Sequence, residues 1–364
     1  MKQDIKDTFL TLVRLGIGTD EASQIVLCRQ WPETLDWDGL RALADEQGLG
    51  PVLLDGIESL PNELRPPKEL LLQWIGETLQ GYEYRYELYK RTLAEMAAFY
   101  REHSIKMMLL KGYACCLDWP KPDHRPVGDI DIWLFGKQAE ADALLKGEKG
   151  IKINNSHHHH SVFYWGDFMV ENHYDFINVH HHKSNVELEA IFKELGQDDT
   201  HSVEVFGETV YLPSPNLHAL FLLRHTMNHF ATTKMTLRQL LDWAFFVKKH
   251  HDALDWNWLE EKLDYFGMMP LYDILNAICV DDLGFSPQLF PRIQFSPYLK
   301  DKVKNDILDP KTLGKTPSWF LPRVVFKYRR WKANSWKHKL CYKESMLSAF
   351  WSGIKSHLLK PSSI

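Results

Sequence analysis

Two aspartates separated by one residue inside an otherwise apolar run constrain this chain more than any other feature. They are Asp129 and Asp131, in the stretch DIDIWLF. An apolar run of this kind reads as a β-strand, and residues two apart on a strand point to the same face. Aspartate is depleted in plain sheets. A strand that carries two on one face concentrates negative charge, and a cation is the usual remedy.

The surroundings extend that reading. The stretch Ile105–Leu134 holds an apolar run, a Lys111-Gly112 turn, a short helix-like piece, Arg125 and then the aspartates. Oxygen ligands of this kind suit Mg²⁺, which usually travels with substrate phosphates. Gly112 after an apolar strand permits a tight turn into a helix start, where free N–H groups can hold phosphate oxygens. Lys111 offers a point charge to the same phosphates; the plainer alternative is a solvated lysine at a strand end. Arg125 fits a phosphate or the aspartates, or else a structural ion pair that holds the loop. A two-metal site calls for a third carboxylate. In the run MVENHYD, Glu171, His173 and Asp175 share one face by alternation, and Glu171, in mid-strand, is preferred over Asp175. The residues together point to metal-assisted phosphoryl or nucleotidyl transfer.

At 364 residues the chain has room for two or three domains. Its 45% hydrophobic and 25% charged content are those of an ordinary globular protein. Five cysteines with no CxxC pair argue against a disulfide framework or a cysteine zinc site. No apolar run of about 18 residues and no signal peptide are present, so a cytoplasmic protein is expected.

Periodicity predicts an α+β fold in four stretches: helical at 1–103, strand-rich at 104–212, helical at 213–284, and a basic, aromatic-rich extension at 285–364. In the first, 36–58 has helical spacing with Asp36 or Asp38 as cap and a break at Pro51. A long helix is predicted from Lys68 to about His103, with Tyr82, Tyr86, Tyr89, Leu93 and Met96 forming a core stripe. Strands are predicted at 105–110, 129–135, 151–153, 162–165 and 168–174, and a hairpin at 203–212 turning at Gly207. Beyond Gly284 the chain reads as irregular and Pro-rich.

The motifs LLKG at 109–112, Arg125, DIDIWL at 129–134 and VENH at 170–173 resemble the uncharacterised nucleotidyltransferases of the DNA polymerase beta-type superfamily. So do LRQLLDWAFF at 237–246, DWNWLEEKLDYFG at 255–267 and DWDGLRALADEQGLGPVLL at 36–54. The resemblance covers roughly residues 35–270. It implies a small mixed β-sheet core with flanking helical N-terminal and C-terminal regions. It also implies that Asp129, Asp131 and Glu171 hold Mg²⁺ while a nucleoside monophosphate moves from an NTP to an acceptor hydroxyl. Lys111, Gly112, Arg125 and His173 are then expected around the nucleotide. Most of the superfamily has Gly-Ser where this chain has Lys111-Gly112, which leaves a catalytically inactive nucleotide- or partner-binding protein as the alternative. The acceptor is open among a small molecule, a protein and an RNA end, and the base preference is open too.

Two biased segments complete the reading. Eight of 18 histidines lie within 157–182, where transition-metal binding competes with a polar loop. Alternation along a strand argues against a tetrahedral site built from His157–His160 alone. His225 and His229, four apart, have ligand spacing without the Glu of HExxH and also fit a core stripe. Arg238 and Asp242 read as a helical i,i+4 ion pair or as base-pocket residues. The last 55 residues carry 12 Lys and Arg against one acid, Glu344, which leaves −16 on the rest of a chain whose net charge is −5. The basic and aromatic stretch 323–360 suits nucleic acid, a membrane surface or docking onto the acidic body.

Overall fold

The computed structural model describes residues 3–19, 35–180, 182–310, 319–349 and 351. Cys28, His181 and the basic stretch from 352 onward lie outside the described residues.

The architecture is α+β, a six-stranded mixed sheet with helical flanks. Near the N-terminus lie α1 (Gln3–Gly16), α2 (Trp37–Gln47) and α3 (Gly50–Glu58). Asp36 caps α2 by accepting from the Gly39 N–H at 2.8 Å. The break expected at Pro51 falls earlier, at Gly48 in the left-handed region (φ +67°). Pro51 instead occupies the first turn of α3, where its missing N–H costs nothing. The long helix runs as α4 (Lys68–Thr78) and α5 (Tyr84–Glu102), joined by a π-turn at Leu79–Glu83.

The strands are β1 (Met108–Leu109), β2 (Ile130–Trp133), β3 (His160–Trp165), β4 (Phe168–His173), β5 (Ser202–Val205) and β6 (Glu208–Tyr211), in the order β3-β4-β2-β1-β6-β5. β2 pairs parallel with β4 and antiparallel with β1, and β5–β6 is the expected hairpin. The strand expected at 151–153 is absent. The segment Ile151-Lys152-Ile153 is too short, and its neighbour Asn154 makes only an isolated bridge to Val162.

Alternation sorts the sheet into two faces. Ile130, Ile132, Leu134, Leu109 and Val170 point to a core closed by Tyr89, Leu93, Met96 and Tyr100 of α5 and by Ala141 and Leu145 of α7 (Gln138–Glu148). The short helix α6 (Tyr113–Cys116) links β1 to the loop before β2. Met108, Leu110 and Trp133 point the other way, into a larger core. That core is shared with α1–α3, α8 (Ser184–Leu195), α9 (Pro215–Thr232), α10 (Leu237–His250), α11 (Trp256–Tyr265) and α12 (Met269–Asp281). Thr236 and Gln239 form a full capping box at the start of α10.

The stretch beyond Gly284, read as irregular, carries α13 (Pro297–Leu308), α14 (Phe320–Ala333) and α15 (Ser335–Cys341). Pro297 sits in the first turn of α13, where a proline is compatible with helix, so a Pro-rich composition does not exclude one here. Residues after α14 fasten to the body. Buried Lys337 pairs with Asp306, and Tyr342 stacks on His182 with centroids 4.0 Å apart. The Ser184 N–H donates to Glu344 at 2.8 Å. No described helix is long and apolar enough to cross a membrane.

Candidate active site

The sheet places the acidic residues before any side chain is considered. Asp131 lies opposite Glu171, and Trp133 opposite His173, in the parallel β2–β4 register. Asp131, Glu171 and His173 thus fall on the face away from α5, where they line a cleft of about 430 Å³ between the sheet and helices α9 and α10. Asp129 lines the same cleft from just before β2. Among the described residues, ligand atoms of Asp131, Glu171 and His173 come within 4.8 Å of one another.

Charge at this point is partly neutralised by the chain. Lys111 Nζ lies 2.8 Å from Asp131 Oδ1, and His173 Nε2 lies 3.2 Å from the same oxygen and 3.5 Å from Glu171 Oε2. Burial disfavours the charged form of Asp131, but Lys111 and then His173 outweigh it and hold the carboxyl far below its ordinary range. The same balance, burial against the hydrogen bond from His173, keeps Glu171 low. Asp129 is pushed up, by burial and by Asp131 beside it. For His173, burial is overcome by Asp131 and Glu171, which raise it to about 9.

The Lys-Gly turn is backbone-driven. Gly112 has φ +58° and precedes α6, which is a single turn. The helix start expected to hold phosphates is therefore only four residues long, and Lys111 is committed to Asp131 rather than standing free at a strand end. Arg125 is also committed. Its Nε and Nη2 donate to Asp242 at 2.6 and 2.9 Å, and the Trp119 indole donates to Asp242 at 2.9 Å. The i,i+4 pair expected between Arg238 and Asp242 is replaced by this longer-range one, because Arg125 presents two donors to the carboxylate in a bidentate fork. Arg238 instead reaches the Pro126 carbonyl oxygen at 3.5 Å and lines the cleft. Burial and the nearby Arg125 lower its pKa.

His225 and His229 both face the cleft, with rings 4.4 Å apart. Burial, then the charge of Lys111, lowers His225 and brings His229 to about 4, so both are neutral at pH 7. Asp175, the other candidate for the third carboxylate, turns away to an ion pair with Lys193. Its carbonyl oxygen accepts from His173 Nδ1 at 3.1 Å.

The sequence reading missed two contributors. Tyr89, counted only as core, donates its hydroxyl to the Asp129 carbonyl oxygen at 3.0 Å. Arg224 lines the cleft, donating to Asn185 and lying 4.5 Å from the Tyr342 ring centre. The available signal was a charged residue within the apolar helix run LFLLRHT, since arginine is rarely buried without purpose.

The family described as uncharacterised nucleotidyltransferase matches residues 33–275, about two thirds of the chain. Among solved structures, the chain is similar to an antigenic nucleotidyltransferase-like protein from Paracoccidioides brasiliensis. Identity is 15%, coverage 44% of this chain and 75% of that one, and the TM-score 0.32. No curated protein gives a match.

Proposed function

Since the chain belongs to the uncharacterised nucleotidyltransferase family, we propose that it moves a nucleoside monophosphate from an NTP to an acceptor hydroxyl with the help of Mg²⁺. The observation that carries this reading is the in-register pair Asp131–Glu171, with Asp129 two residues upstream, opening on one cleft.

The donor set fits the ion. Carboxylate oxygens of Asp131 and Glu171 converge with His173 Nε2 in a buried place that already demands positive charge, supplied here by Lys111 and His173. Asp129, Asp131 and Glu171 would hold Mg²⁺, whose hard, oxygen-seeking character suits both carboxylates and phosphates. When bound, the ion supplies charge neutralisation for the triphosphate and acidifies the attacking hydroxyl.

The chain's own groups position the reactants. The acceptor oxygen forms a bond to the α-phosphorus as the bond to the bridging oxygen breaks, and pyrophosphate leaves. The hydroxyl proton passes to a carboxylate of the Glu171 strand. Arg238 and Lys111 offer positive charge to the phosphates in place of the serine hydroxyl found elsewhere in the superfamily. Positioning and fixed charge would do most of the work. The acceptor is a hydroxyl on a small molecule, a protein or an RNA end.

One observation favours a second reading. Lys111 sits on Asp131 at 2.8 Å, and such an internal cation serves a protein that binds nucleotide or a partner without metal-dependent chemistry.

Calorimetry of each NTP, with and without Mg²⁺, on the wild type and on Asp129→Asn/Asp131→Asn separates the two. Mg²⁺-dependent binding lost in the variant supports transfer. Binding indifferent to Mg²⁺ and to the variant supports the second reading, and no NTP binding at all removes both nucleotide readings.

A further inference from the structure

The histidine-rich run and β4 meet in a way that strand alternation alone did not suggest. His160 is the first residue of β3 and pairs across the strands with His173. Cross-strand partners share a face, so their rings meet, with centroids 5.2 Å apart. His159 precedes the strand and escapes its alternation. Its carbonyl oxygen accepts from the N–H groups of Tyr174 and Asp175, at 3.1 and 3.0 Å, which fastens it to the end of β4. Its ring then lies 4.3 Å from that of His160 and 5.7 Å from that of His173.

We propose that His159, His160 and His173, with Glu171 beside them, form a binding site for a transition-metal dication of the Zn²⁺ class. Four observations carry this. Ligand nitrogens of the three imidazoles lie within 4.8 Å of one another. Three imidazoles on one tetrahedral ion, each nitrogen about 2.0–2.1 Å from it, place ring centres about 5 Å apart, and the three separations here bracket that value. His160 is 5% exposed, yet neither of its ring nitrogens has a hydrogen-bond partner. A buried polar group in that condition is costly, and a metal bond relieves it. Finally, His173 donates through Nδ1 to the Asp175 carbonyl oxygen at 3.1 Å. This contact leaves Nε2 as the ligating atom of the neutral ring.

Glu171 completes the set. Its Oε1 lies 3.7 Å from His160 Nε2 and its Oε2 3.5 Å from His173 Nε2. Three imidazoles and one carboxylate select Zn²⁺ and similar ions over Mg²⁺, which prefers oxygen alone. The site does not depend on nucleotide transfer; it abuts the carboxylates proposed for Mg²⁺ and shares Glu171 and His173 with that acidic cluster.

The test uses the untagged full-length chain and Zn²⁺ alone. Affinity is measured by competition with a chromophoric chelator, and ligands are counted by X-ray absorption at the zinc edge. The expected result is one Zn²⁺ per chain with three imidazoles. His160→Gln should weaken binding by more than about 100-fold, since even outer-shell partners of a ligand are worth about 10–100-fold. His157→Ala/His158→Ala and Asp129→Asn should leave affinity within about threefold. The proposal is overturned if wild-type absorption shows fewer than three imidazoles, a measurement that needs no variant to fold. It is equally overturned if His157→Ala/His158→Ala weakens binding as much as His160→Gln, which would place the ion on the exposed end of the run.

Discussion

The Tyr89 hydroxyl occupies the space that a side chain on Gly112 would need. A Cβ built on Gly112 falls 2.5 Å from the Tyr89 oxygen, and the same hydroxyl donates to the Asp129 carbonyl oxygen at 3.0 Å. One residue of the long helix therefore locks both the Lys-Gly turn and the backbone entering the acidic strand. Gly112→Ala meets this clash and a φ of +58° together. It should cost about 2–4 kcal/mol in urea unfolding. Tyr89→Phe removes the oxygen but not the backbone strain, so the double variant should recover part of the loss. Strict additivity of the two changes would refute the coupling.

Arg125 and Asp242 join the loop before β2 to α10, 117 positions apart in the chain. Both are buried, so removing one leaves the other charged and unpaired, at about 3–5 kcal/mol. Arg125→Met and Asp242→Leu should each lower stability by that order, and the pair together by less than their sum. Equal single and double losses would mean that the two act as one unit. A double loss matching the sum of the singles would deny the interaction.

How much of this was legible beforehand depends on which physics carried each feature. Alternation placed Asp129 with Asp131 on one strand and Glu171 with His173 on another, because strand geometry depends only on parity, while their meeting on one side of the sheet depends on the β2–β4 register. Helical spacing found the Tyr86–Met96 stripe, and the capping pattern found Asp36. What failed was partner choice across the chain. Arg238 was four residues from Asp242, so the local pair was the natural expectation, yet Arg125 lies 117 positions away and holds it. Tyr89 has the periodicity of a core residue, and nothing in that periodicity says where its hydroxyl ends. Pro51 reads as a breaker because its position relative to a helix start is not fixed by composition.

Metal-free protein should show a stability loss at mildly alkaline pH that belongs to His173. Its folded pKa, about 9, lies above the ordinary 6.5. Its stabilising effect is complete below about pH 6.5 and disappears as pH rises through 9, an upper limit of about 3 kcal/mol. Asp131, held low, acts in the opposite direction: its contribution is present above its ordinary 3.8 and lost in strong acid. Urea unfolding in EDTA from pH 6 to 10 checks this. The difference between wild type and His173→Gln should shrink across pH 6.5–9. A difference that is constant with pH would show that folding does not raise the His173 pKa.

Arg238 is the cleft cation least committed to the fold. Lys111 is held by Asp131, Arg125 by Asp242, and Arg224 by Asn185 and the Tyr342 ring. Arg238 has only a 3.5 Å contact to the Pro126 carbonyl oxygen and forms no ion pair among the described residues. Burial and Arg125 work against its charge, so keeping it there costs the apo protein stability. A polyanion in the cleft would reverse that sign, because a guanidinium matches phosphate oxygens two at a time. Arg238→Ala should therefore leave the unfolding midpoint unchanged or raise it. It should also weaken NTP binding about tenfold or more, the order of a hydrogen bond to a charged group. Arg238→Lys keeps the charge but loses the fork, and should recover only part of the affinity. A structural arginine would give the opposite pattern, with stability falling and the affinity of the remaining folded protein intact.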